Sequence, residues 1–146
     1  MMRAPGAAAL TLAAAAVLAP ATALPTPAAA AAGCHGNACE GKNPKTLGCA
    51  EDARDIPRTE IRPDTQLHPR VWLRYSAKCH AVWAKGEWAD GWTIRVAILD
   101  GDPYDAPTLA SGEAFTAMVG ADRTHHVGIL DVDGQWVYGK WRSGAA

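Results

Sequence analysis

The chain has 146 residues, 49% of them apolar, and a formal net charge of −1. Sixteen of its alanines fall within the first 32 residues, and from Gly33 onward Leu, Ile, Val and Phe supply only 19 of 114 positions. This excludes a second domain, a strongly basic nucleic-acid binder and, beyond the leader, an apolar run long enough to span a membrane.

Residues 1–32 read as a secretory signal peptide. Arg3 supplies the positive start, residues 7–18 the apolar run, and Ala21-Thr22-Ala23 or the alanines of 28–32 a small-x-small cleavage site. Pro20, Pro25 and Pro27 break the stretch as a transmembrane helix. Ala31-Ala32-Gly33-Cys34 also resembles a lipoprotein cleavage box. Ala31 is small for that box, however, and lipidating Cys34 would strand an odd cysteine.

Four cysteines follow: Cys34, Cys39, Cys49 and Cys79. An even count in a short exported domain predicts two disulfides, with three connectivities open. Pairing Cys34 with Cys39 and Cys49 with Cys79 is preferred; the second closure would stabilise by about 3–4 kcal/mol. Zinc competes, with His35 and His80 beside cysteines, but no tight C-x2-C or H-x3-H hook is present. No metal and no cofactor are expected.

Residues 33–70 are punctuated by glycine and proline and predict a cysteine-bearing loop region, with at most a helical turn across 50–55. Residues 71–142 predict the β-domain, and 33–142 one folded unit. Val71, Leu73 and Tyr75 alternate with Trp72 and Arg74, which predicts a strand. Ser76-Ala77-Lys78 predicts a turn, after which Cys79, Ala81 and Trp83 share a face, although a helix over 76–84 competes. Trp92, Ile94, Val96 and Ile98 line a further strand, with Asp90-Gly91 as a turn before it and Asp100-Gly101-Asp102-Pro103 ending it. A weaker strand covers 114–119. Residues 127–132 and 135–141 flank Asp133-Gly134, which predicts a hairpin with a type I′ turn. The whole predicts an all-β fold, a small antiparallel sandwich or barrel of five or six short strands.

Cys34-His35-Gly36, Cys39-Glu40-Gly41-Lys42-Asn43-Pro44, Gly48-Cys49-Ala50 and Asp52-Ala53 resemble the opening motif of the YjfA-type family of secreted bacterial proteins. Leu73-Arg74-Tyr75-Ser76, Cys79 and Trp83-Ala84-Lys85 resemble its second block. That family is a domain of unknown function. The resemblance implies secretion, the four-cysteine framework and a similar fold, with no catalytic residues. Similar domains are sometimes carried outside the membrane by helix-turn-helix regulators, which implies a sensing or binding role.

Candidate chemistry is sparse. Ser76 beside His80 lacks a G-x-S-x-G elbow, so no catalytic residue is assigned. His125-His126 are expected in a solvated loop. Asp100, Asp102 and Asp105 fail the EF-hand spacing and are expected in an acidic turn. Six tryptophans against one phenylalanine are the strongest hint. Several must fill the core, but Trp72 and Trp88 are expected outside it, and Trp136 and Trp141 on opposite faces of the last strand. These four are the candidate binding residues. The expectation is a secreted, monomeric, non-catalytic binding module at the cell envelope or outside the cell. Its partner would be a protein or a polysaccharide, not a nucleic acid. An extracellular hydrolase of cell-wall polymer, or a secreted protease inhibitor, is the alternative.

Overall fold

The computed structural model describes residues 33–65, 68–87, 91–107 and 113–145. The leader, Trp88 and Asp90 lie outside the described residues, and so do the expectations placed on them.

The described chain is all-β, apart from a 3-10 turn at Gly36–Cys39. Its first sheet runs β1 (Arg54–Asp55), β2 (Arg70–Ser76), β3 (Ala81–Glu87) and β6 (Glu113–Phe115), with β7 (Val119–Gly120) also on β3. The second runs β5 (Tyr104–Pro107), β4 (Thr93–Ile98), β8 (His125–Leu130) and β9 (Trp136–Tyr138). All pairings are antiparallel. The competing helix over 76–84 does not form; its residues make the turn between β2 and β3 and most of β3. Val82 and Trp83 prefer extended backbone, and pairing with β2 gives each face of β3 something to cover.

The inner faces pack as a sandwich. Val71, Leu73, Tyr75, Val82 and Ala84 of the first sheet meet Ile94, Val96, Ile98, Val127 and Ile129 of the second. Gly86 belongs to this contact, because a Cβ there would lie 2.8 Å from Ile94 Cγ2.

A third layer covers part of the first sheet's outer face. Cys34, Cys39, Cys49 and Cys79 pack with Ala81, Trp83 and Met118 into a second apolar cluster. The disulfides are Cys34–Cys39 and Cys49–Cys79, the preferred pairing. Their four sulfurs lie within 4.8 Å of one another, and each is held in one of the two S–S bonds. Because Cys34 carries a disulfide, its sulfur is not available for a lipid thioether. The cysteine-bearing segment is therefore a packed cover over Trp83.

Three element predictions need correction. The helical turn proposed across 50–55 gives way to β1, since Arg54 and Asp55 pair with Tyr75 and Arg74. The 114–119 strand is two short strands, broken where Thr116 Oγ1 accepts from Ala84 N–H and donates to Ala117 C=O. The type I′ turn at Asp133-Gly134 is a wider loop. Gly134 N–H donates to Asp131 C=O, and only Gly134 there has positive φ, 80°. Asp131 Oδ1 also accepts from Asp133 and Gln135 N–H, which fixes the wider form.

Candidate binding face

The outer face of the second sheet carries a row of parallel rings. Alternation along β4, β8 and β9 sends Ile94, Val96, Val127, Ile129 and Val137 inward. The same alternation sends Arg95, His126, Gly128, Trp136 and Tyr138 outward. Trp141 stacks on His126 at 3.8 Å, His126 on Tyr138 at 4.7 Å, and Tyr138 on Trp136 at 5.5 Å. The Arg95 guanidinium lies 3.9 Å from the Trp136 ring and closes the row. Arg95 is held in turn by two hydrogen bonds to Asp105, at 2.6 and 2.8 Å.

Gly128 makes the row possible. It pairs with Tyr138 across the strands, and a Cβ there would lie 2.7 Å from the Tyr138 ring. The tyrosine lies across the bare backbone and reaches the imidazole. His126 donates to Gly139 C=O, and burial, only partly offset by that bond, holds its pKa below the ordinary histidine range. The neutral ring acts here as a flat spacer between two aromatic side chains.

Stacking consumes most ring faces, so the row offers mainly edges to solvent. Trp141 stacks on one ring, that of His126, and is 46% exposed, and Tyr138 is 44% exposed. The row carries no unpaired charge, because Arg95 and Asp105 neutralise each other.

The expected site residues distribute unevenly. Trp136 and Trp141 join one row on one face, not opposite faces. β9 ends at Tyr138, and the chain beyond it turns Trp141 back over His126. Trp72 does point away from the core, yet it is only 7% exposed beneath Arg70 and Lys85. His125 and His126 are not solvated; they open β8 and both are buried. Asp105 is not part of an acidic turn but sits in β5, opposite Arg95. The sequence reading missed Tyr138, His126 and Arg95. Period-two alternation through Gly128 would have placed all three on one face, had His125 and His126 been assigned to the strand.

Ser76 and His80 are not brought together. Ser76 Oγ donates to Asp52 at 2.6 Å, and burial of that carboxyl is outweighed by hydrogen bonds that hold its pKa low. His80 instead bridges the Tyr75 hydroxyl at 3.1 Å and Asp122 at 2.9 Å, a chain bracing the turn after β2.

Among the described residues no helix is long and apolar enough to cross a membrane. No curated protein and no solved structure gives a significant match to the chain. A family model described as "Protein of unknown function (DUF2690)" matches residues 37–127, which takes in Cys39, Cys49 and Cys79, though not Cys34, and the sandwich up to the start of β8, and the chain belongs to that family.

Proposed function

We propose that this protein is a secreted, monomeric, non-catalytic binding module, acting at the cell envelope or outside the cell through the ring row of its second sheet. The leader of residues 1–32 is its export signal, and the two disulfides suit an oxidising compartment. The likeness to YjfA-type secreted proteins belongs to the same proposal. The observation that carries it is Trp141: a large ring, half exposed and stacked on His126, on a sheet face that the cysteine-bearing segment does not cover.

A half-exposed indole in a row without unpaired charge suits the apolar face of a neutral sugar, and a cell-wall polysaccharide is the proposed ligand. The enzymatic alternative draws no support from Ser76, whose Oγ is engaged with the Asp52 carboxylate and not with an imidazole. The inhibitor alternative requires an exposed, disulfide-braced loop within Cys34–Cys49; that segment carries a 3-10 turn at Gly36–Cys39 and turns across 44–50, and its cysteines are buried.

Cosedimentation with purified, insoluble cell-wall polysaccharide tests the proposal. Wild type is expected in the pellet, and Trp141→Ala is expected to stay in solution with its melting temperature little changed. Equal sedimentation of the two proteins would remove the row from the account of binding.

A further inference from the structure

A cavity of about 320 Å³ opens on the opposite side of the molecule, over the part of the first sheet that the cysteine-bearing segment leaves bare. Its floor is Trp72, in the middle of β2, and one wall is the segment that follows β1. Four cationic and three acidic side chains line it. Most of these charges are already paired. Glu87 binds both Arg70 and Lys85, and Asp55 binds Arg74, whose Nη2 also donates to Ala53 C=O at 2.7 Å.

Arg74 Nε makes no hydrogen bond but is ion-paired with Asp55 at 3.1 Å, which leaves Trp72 and Arg58 as the lining side chains whose donors have neither kind of partner among the described residues. The Trp72 indole N–H is buried and has no hydrogen-bond partner. Buried indole N–H groups normally find an acceptor, so this one marks a place where an acceptor is missing. Arg58 is the second. It stands exposed on the rim, and its guanidinium has no ion pair or hydrogen bond among the described residues. Its φ of +60° is a left-handed conformation that a non-glycine residue seldom adopts. The backbone is pinned there, because Arg58 C=O accepts from Arg142 and Thr59 Oγ1 both donates to Ile56 C=O and accepts from Leu73 N–H. Backbone strain that the surroundings hold in place is the kind stored at binding sites.

We propose that this cavity binds a small monocarboxylate, of the size of an N-acylated amino acid or the last residues of a peptide. An unpaired indole N–H and an unpaired guanidinium are both donors, and a carboxylate supplies two acceptor oxygens in one plane. A lining one charge to the positive side matches a single negative charge. The three acids disfavour a dianion such as phosphate. The Arg70 guanidinium and the Lys85 ammonium stand over the indole ring at 5.0 and 5.6 Å, so the ligand reaches the N–H by displacing these heads from it. The site is independent of the ring row, and either can fail without the other.

The test follows indole N–H signals by two-dimensional NMR in the intact, oxidised protein, with Trp72 assigned through Trp72→Phe. N-acetyl-alanine is expected to move the Trp72 signal saturably, whereas its neutral methylamide and inorganic phosphate leave it in place. Arg58→Gln, an exposed substitution that keeps the fold, is expected to weaken binding at least fivefold. A short peptide with a free C-terminus, set against its C-terminal amide, distinguishes a chain end from a free acid as the source. An unmoved Trp72 signal, an equal response to the methylamide, or undiminished binding by Arg58→Gln would overturn the proposal.

Discussion

His125 sits wholly inside the sandwich, where its Nδ1–H donates to Arg123 C=O at 2.6 Å and its Nε2 has no partner. Protonation would place a charge there with nothing to receive it. Burial accordingly holds its pKa below the ordinary value, against the pull of the Arg123 carbonyl, and His126 is shifted the same way. In the unfolded chain both titrate near 6.5. Between that value and the lower folded one, the unfolded state binds more protons, so stability rises with pH. It is complete above about pH 6.5 and is lost as pH falls below it, by at most about 1.4 kcal/mol per pH unit for each histidine. Urea unfolding at pH 7.5 and pH 5 should show the wild type weaker in acid, and His125→Leu should lose part of that difference. Equal wild-type stability at the two pH values would mean that neither ring is held neutral by burial. The sequence did not announce this. An H-H pair looks polar, and only the strand register, with Ile98 opposite His125, turns one imidazole into the core and the other onto the ring row.

At the scale of elements, the period-two stretches were legible because one face of each is buried and the pattern cannot slip without exposing it. β2, β4 and β8 therefore stand close to where alternation put them. β1 and β5 were not legible. Arg54 and Asp55 are both exposed, so no alternation marks them, and β5 follows an Asp-Gly-Asp-Pro run that reads only as a turn. Both are edge strands, defined by their neighbour more than by their own residues. The ring row was half legible: its tryptophans stood out, but the glycine that lets them align did not. Gly128→Ala is the direct check. Strand propensity alone would make alanine the better residue. The contact with Tyr138 argues the reverse, and since that ring is exposed enough to yield, the cost should be about 1 kcal/mol, at the low end for overpacking. Denaturant midpoints decide by sign, and a stabilised variant would mean that the tyrosine does not rest on Gly128.

For the molecule as a whole, the scarcity of large aliphatic side chains has a structural consequence. The sandwich uses most of them, and the outer face of the first sheet is covered with sulfur and rings: two disulfides, Met118 and Trp83. The two bridges do different work. Cys34–Cys39 closes a separation of five residues within the cover itself. Cys49–Cys79 spans thirty and ties the cover to the turn between β2 and β3. Chain entropy assigns about 2 kcal/mol to the first and about 3–4 kcal/mol to the second. Each bridge is buried in the same apolar cluster, so replacing its cysteines by alanine leaves comparable cavities, and the packing losses nearly cancel when the two variants are compared. The paired variant Cys49→Ala/Cys79→Ala should therefore unfold at lower denaturant than Cys34→Ala/Cys39→Ala. It should also show the larger gain in quenching of tryptophan fluorescence by iodide, because Trp83 loses its cover. The opposite order would mean that the short bridge organises the segment and the long one only decorates it. The ring row on the far sheet gains nothing from either bridge directly. The polysaccharide binding proposed for that row should accordingly persist in the Cys34→Ala/Cys39→Ala variant under conditions where circular dichroism shows its sandwich folded, and loss of binding there would tie the row to the cover.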